Sequence, residues 1–211
     1  MIASIEAEAR ATASYTGRSR FSPAVMSALA KVPRHLFVPH ERQDEAYVNA
    51  PLSIGWGQTI SEPYIVALMT DLLELDARSN VLEIGCGSGY QVAVLSLLAR
   101  QVYSVEVVEE LADAAREKLQ RLGYPNVEVI TGDGYHGCPE HAPFDGIIVT
   151  AAAPKVPPPL LDQLKPGGRM VIPVGLPFRD QELKLLTKGE DGIIDSRSVL
   201  PVAFVPFRHS E

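Results

Sequence analysis

The chain has 211 residues, 46% of them hydrophobic, and a formal net charge of −7. That length suits one domain burying about 70% of its unfolded surface, and an acidic balance with no Lys/Arg-rich block argues against a dedicated nucleic-acid binder. Two cysteines, Cys86 and Cys138, make no disulfide framework and point to a cytoplasmic setting. No apolar run approaches the roughly 20 residues that span a bilayer, and Glu6 and Glu8 argue against a signal peptide.

Residues 1–20, rich in alanine and charge, read as helix with Ile2, Ile5 and Ala9 on one side. Ser22-Pro23 starts a second helix whose buried stripe is Val25, Met26, Leu29 and Val32, and Pro33 stops it. Residues 32–39, Val-Pro-Arg-His-Leu-Phe-Val-Pro, read as extended, and 44–52 as loop. Residues 55–63, Gly-Trp-Gly-Gln-Thr-Ile-Ser-Glu-Pro, read as a flexible, ligand-sized loop. Its Ser61 is placed to cap a helix that begins at Glu62-Pro63, buries Val66, Met69, Leu72 and Leu73, and ends near Asp76.

From Val81 the pattern alternates: strand 81–85, helix 90–99, strand 102–106, helix 109–122 and strand 127–131. A strand over 144–150, a proline-bearing loop, a short helix through Leu164, a turn at 165–168 and a strand over 169–174 follow. Strands separated by helices imply a parallel sheet with right-handed crossovers. Strands 182–188 and 198–205, joined by Gly189–Gly192 with no helix between, make at least one of the two antiparallel. The expected fold is therefore α/β: a doubly wound, mostly parallel, seven-stranded sheet with N-terminal helices and a C-terminal antiparallel strand pair. One domain over 1–211 would divide into N-terminal helices and an active-site loop (1–62), an α/β core (63–175) and C-terminal strands on the substrate side (176–211).

The chemistry concentrates at 81–90, Val-Leu-Glu-Ile-Gly-Cys-Gly-Ser-Gly-Tyr. A buried strand empties into glycines at alternate positions and then a helix start, where backbone N–H groups are unpaired and no Cβ keeps a ligand away. Glu106 closes the next strand where a carboxylate can accept both ribose hydroxyls, and Asp133, between Gly132 and Gly134, suits an adenine edge. Glu83, an acid inside an apolar strand, must have a partner. The strict glycine alternation lacks the pyrophosphate signature of a nicotinamide site. It suits S-adenosylmethionine, with the glycine turn against the methionine moiety.

The segments 32–39, 57–64 (Gly-Gln-Thr-Ile-Ser-Glu-Pro-Tyr), 81–91, 132–134 and 204–206 (Phe-Val-Pro) together resemble protein-L-isoaspartate O-methyltransferases, from about residue 20 onward. The glycine motif is shared by a whole fold class, whereas the Gln-Thr-Ile-Ser-x-Pro stretch is specific to this family. The resemblance implies methyl transfer from S-adenosylmethionine to the α-carboxylate of isoaspartyl residues in damaged proteins and peptides, with Ser61 as the active-site residue. It also implies a cofactor site of Gln58, Thr59, Glu83, Gly85, Cys86, Gly87, Ser88, Gly89, Glu106, Val107, Asp133 and Gly134. The substrate contacts it implies are Thr59, Ile60, Ser61, Val205 and Pro206, with 202–207 clasping the peptide. Partners would be isoaspartyl proteins and peptides, with no nucleic acid, no membrane, and a monomer or weak dimer.

Other readings are weaker. Nucleic-acid amino-methylating enzymes carry an Asn/Asp-Pro-Pro-aromatic run after the fourth strand, and here 150–154 is Thr-Ala-Ala-Ala-Pro. A small-molecule methyltransferase is the nearest alternative; a nicotinamide oxidoreductase and a non-catalytic adenosine-binding module are further away. His136, Cys138 and His141 sit at poor spacing for a metal and read as a solvated loop, so no metal is expected. On local sequence alone Ser61 reads more as a helix cap than as a reactive-site residue, and Trp56 and the tail 208–211 match no expectation.

Overall fold

A computed structural model gives the fold and describes residues 1–176 and 179–209. Pro177 and Phe178, within the unit assigned to the substrate side, and Ser210 and Glu211 of the unmatched tail lie outside the described residues.

Helices α1 (Ile2–Ala11), α2 (Ala13–Thr16) and α3 (Pro23–Lys31) open the chain. The first two share the stretch expected as one helix and divide at Thr12, while Ile5 and Ala9 are buried as the pattern requires. Ser22 caps α3 by accepting the Val25 N–H, with Pro23 in the first turn. Residues 34–37 form a 3-10 turn rather than an extended segment, and 40–45 form another that runs into the start of the loop expected at 44–52. The anticipated loop at 55–60 is half of a hairpin, β1 (Leu52–Gly55) against β2 (Gln58–Ile60). Its two-residue connection, Trp56-Gly57, has φ of 50° and 71°, the left-handed pair that matches strand twist in tight hairpins. Helix α4 (Pro63–Leu72) is buried along its whole length.

The sheet proper comprises β3 (Asn80–Ile84), β4 (Gln101–Glu106), β5 (Val127–Thr131), β6 (Phe144–Val149), β7 (Leu164–Gly175), β8 (Gln181–Lys188) and β9 (Ile194–Val202). Its order is β5-β4-β3-β6-β7-β8-β9. Pairings from β5 through β7 are parallel; β8 runs against both β7 and β9, which places β9 at the edge. Several boundaries moved, among them the end of α4, at Leu72 rather than near Asp76, and the end of β9, at Val202 rather than 205. Residues 165–168, expected as a turn, lie within β7, β9 begins at Ile194 rather than 198, and the helix after the glycines, α5 (Tyr90–Ser96), stops short of the expected 99.

Side chains alternate between two cores. Val81, Ile148 and Val171 face a core built with α3, α4, α5 and α6 (Glu109–Leu122), while Leu82, Ile147 and Met170 face a second one. The second face is covered by α7 (Pro158–Asp162), two 3-10 turns and the C-terminal segment. Because the chain builds outward from β3 in both directions, the order reverses between β3 and β6. The crevice beyond the strand ends at such a reversal is where open α/β sheets take ligands. No described helix is long and apolar enough to cross a membrane.

Candidate active site

Four strand ends meet at that crevice. β3 runs into Gly85, Gly87 and Gly89, whose φ values of 93°, 53° and 86° all lie in the left-handed region. A Cβ on Gly85 would stand 2.6 Å from Thr150 Oγ1, at the end of β6, which already donates to the Gly85 carbonyl at 2.7 Å. β4 ends at Glu106, whose carboxylate accepts the Gly87 N–H at 2.7 Å and the Val108 N–H at 3.0 Å. That acid therefore braces the glycine turn as well as facing the cavity. β5 leads to Asp133, which caps the turn at Gly134–His136 through Tyr135 N–H at 2.8 Å and faces His209 Nδ1 at 3.2 Å.

The crevice is lined by Gln58, Thr59, Gly85, Gly87, Glu106, Val107 and Gly134, all expected at the cofactor. Cys86 and Ser88 turn instead into a small adjoining cavity shared with Thr59, Ile60 and Ser61. Gly89 is the N-cap of α5 and backs onto Leu119, Asp133 sits behind Gly134, and Glu83 is sealed below the turn. Glu83 pairs with Ser104, its neighbour in register on β4, leaving its other oxygen without a hydrogen-bond partner among the described residues. Burial pushes its carboxyl up to about 8, with the Ser104 hydrogen bond opposing and the Glu106 charge adding. Gly134 packs so closely that an added Cβ would run into Ile84 Cγ2. Gly134→Ala is expected to cost about 1–3 kcal/mol, seen as a lower urea midpoint at unchanged slope.

Ser61 does not cap α4. That helix starts one residue later with Glu62 at the N-cap position, because Pro63 occupies the first turn. The Ser61 side chain thus makes no hydrogen bond among the described residues, and its carbonyl accepts from Arg34 Nη2 at 2.8 Å. It walls both the small cavity beside Cys86 and a groove of about 610 Å³ on the other side. Thr59 and Ser61 line that groove with Glu8, Glu62, Tyr64 and the segment Leu200–Phe204. Val205 and Pro206, expected to contact substrate, line the crevice instead, held where the Ala152 N–H donates to the Val205 carbonyl at 2.8 Å. Phe207, the end of the segment expected to clasp the peptide, lines it too; Thr150 and Arg208 also line it and were not anticipated, although a threonine ending the strand beside the order reversal was a usable signal.

The loop at 136–141 is not simply solvated. Cys138 is buried in the second core, its N–H donates to Gln163 Oε1 at 2.8 Å, and His141 stacks on Tyr103 at 4.0 Å. Ligand atoms of Cys138, Glu140 and His141 lie within 4.8 Å of one another, and burial with Glu140 nearby pushes the thiol up to about 12.

A parallel sheet with this glycine turn, a carboxylate closing the neighbouring strand and a crevice at the order reversal defines an S-adenosylmethionine-dependent methyltransferase. The family model described as protein-L-isoaspartate(D-aspartate) O-methyltransferase matches residues 14–211, and the chain belongs to that family. It is 60% identical over 206 residues to protein-L-isoaspartate O-methyltransferase 2 of Syntrophobacter fumaroxidans, covering 98% of this chain and 83% of that one. Identity to the enzyme of the same description from Polaromonas sp. is 56% over 206 residues, 98% of each chain. A solved protein-L-isoaspartate O-methyltransferase superposes with a TM-score of 0.82 at 30% identity, over 98% of this chain and 65% of that chain. A Plasmodium falciparum structure described as a putative enzyme of the same kind, in complex with S-adenosyl-L-homocysteine, shares the fold with a TM-score of 0.78 at 23% identity.

Proposed function

We propose that this protein methylates the α-carboxylate of L-isoaspartyl residues in damaged proteins and peptides, working as one methyltransferase domain. The observation that carries the reading is the placement of Ser61, the shared wall between the glycine-turn cavity and the 610 Å³ groove. The residues fit the cofactor, since the glycine turn walls one side of the crevice and Glu106, fixed by the Gly87 and Val108 N–H groups, presents a carboxylate to it. Gln58, Thr59, Gly85, Gly87, Glu106, Val107 and Gly134 would hold S-adenosylmethionine, with Cys86 and Ser88 flanking and Glu83, Gly89 and Asp133 supporting the turns. When bound, it supplies an electrophilic methyl group and leaves as S-adenosylhomocysteine.

The acceptor is a carboxylate already ionised at neutral pH, its ordinary pKa being near 4. No general base is needed; alignment and removal of water from the carboxylate lower the barrier. Ser61 donates one hydrogen bond to one carboxylate oxygen, leaving the other to attack. Thr59 and Ile60 flank that oxygen, and Leu200–Phe204 and Glu62 bound the polypeptide on either side. The methyl ester then loses methanol as the following backbone amide nitrogen attacks it away from the enzyme, giving a succinimide that hydrolyses partly to normal aspartate.

The deciding experiment compares labelled-methyl incorporation into an isoaspartyl peptide and its normal-aspartyl twin. Only the first should accept label; equal labelling would end the assignment. Ser61→Ala should lower turnover about 10- to 150-fold, the worth of one hydrogen bond to a charged group. S-adenosylhomocysteine affinity by calorimetry should be unchanged, and wild-type turnover in this variant would remove Ser61 from the mechanism.

A further inference from the structure

Arg34 is the largest fully buried side chain among the described residues. Its Nε–H donates to the Ala46 carbonyl at 2.7 Å and an Nη2–H to the Ser61 carbonyl at 2.8 Å, while Nη1 has no acceptor within hydrogen-bond distance among the described residues and the guanidinium lies in the field of the Tyr90 side chain. It makes no ion pair among the described residues, although the charge of Glu62 acts on it, and it retains its proton at neutral pH, burial pulling it down only to about 10. A core position needing only bulk would be better served by an apolar side chain, because a buried cation with no close ion-pair partner is costly. What the guanidinium does connect is specific. Its Cζ lies 4.8 Å from the ring centroid of Tyr90, the first residue of α5 and the next after Gly89. Phe37, on the same 3-10 turn as Arg34, packs edge-on against Tyr90 with ring centroids 5.6 Å apart. The turn at 34–37 therefore rests on the end of the glycine loop and reaches across to Ser61. Between those two points lies the small cavity bounded by Ser61 and Thr59 on one side and Gly85–Ser88 on the other.

We propose that Arg34 is a positioning residue for methyl transfer, fixing the distance between Ser61 and the glycine turn by gripping the Ser61 carbonyl. This rests on the role given to Ser61 above. In-line transfer tolerates little displacement, and an ångström of misplacement can cost about 100-fold in rate. Lysine cannot reproduce the grip, since one ammonium on a flexible stem lacks the planar fork that reaches two carbonyls at once.

The test is a double-mutant cycle of Arg34→Lys and Ser61→Ala, read as kcat on an isoaspartyl peptide, with S-adenosylhomocysteine affinity and the thermal midpoint recorded for each variant. Arg34→Lys is expected to lower kcat about 10- to 100-fold with KM and cofactor affinity changed less than about threefold, and to have no further effect once Ser61 is alanine. Arg34→Met, which keeps the bulk and drops the charge, should behave alike and takes the place of a lysine variant that does not fold. Independent, multiplying losses in the double variant overturn the proposal while leaving Ser61 its role. Wild-type turnover in Ser61→Ala overturns both. Failure of both Arg34 variants to fold assigns the residue to stability alone and overturns the positioning role.

Discussion

Glu106→Ala is expected to weaken S-adenosylhomocysteine binding about 30- to 1000-fold, measured by calorimetry. Two effects combine. The Glu106 carboxylate accepts the Gly87 and Val108 N–H groups, at 2.7 and 3.0 Å, so its removal loosens the turn and leaves two donors to find other partners. It also lines the crevice, where in our reading it accepts the ribose hydroxyls. Hydrogen bonds to a charged group are worth about 1.5–3 kcal/mol each, and a net loss of about 2–4 kcal/mol follows once water replaces part of them. Glu106→Gln keeps the shape and one acceptor oxygen and should fall between. Undiminished affinity in the alanine variant would separate this acid from the cofactor.

Folding stability should decline with rising pH through Glu83, and Glu83→Gln should remove that decline. The carboxyl is fully buried, with its folded pKa raised to about 8 against an ordinary value of 4.5. Between those values the folded chain keeps a proton that the unfolded chain has released. More protons bound in the native state means stability falls as pH increases across the window. The contribution is fully present below about 4.5 and gone once pH passes about 8, a swing on the order of 5 kcal/mol. Any constant cost of placing an amide beside Ser104 cancels when the variant is compared with the parent at several pH values. Urea unfolding at pH 5, 7 and 9 should show the glutamine variant gaining relative to the parent at each step. A constant difference across that range would mean the acid is already ionised inside the fold.

How much could be read without coordinates depended on whether neighbours along the chain decided the outcome. The alternating glycines, Glu106 and the amphipathic helix at 109–122 are local patterns with one physical solution, and they fell where expected. Glu83 announced itself as an acid among apolar residues, and Ser104 answers it from the paired strand. The hairpin at 52–60 was missed because glycines flanking a tryptophan read equally well as a loose loop, and only pairing with Leu52–Gly55 makes their left-handed angles useful. Ser61 looked like a cap because serine before Glu-Pro is a good one; the proline moved the helix start by a residue and freed the hydroxyl. The positions of β8 and β9, the burial of Cys138 and the arrival of Val205–Arg208 at the crevice all depend on distant partners such as Gln181, Gln163 and Ala152. No local pattern encodes those.

The hairpin has a practical corollary. Its tip carries the chain's single tryptophan, 54% exposed, one residue from Gly57 and two from Gln58 at the crevice wall. Indole emission from this molecule therefore originates at one spot on the rim, free of background from other tryptophans. A ligand that covers that rim would dry the ring and shift its emission, so binding there can be followed optically, unlabelled, and apart from the chemistry that comes after.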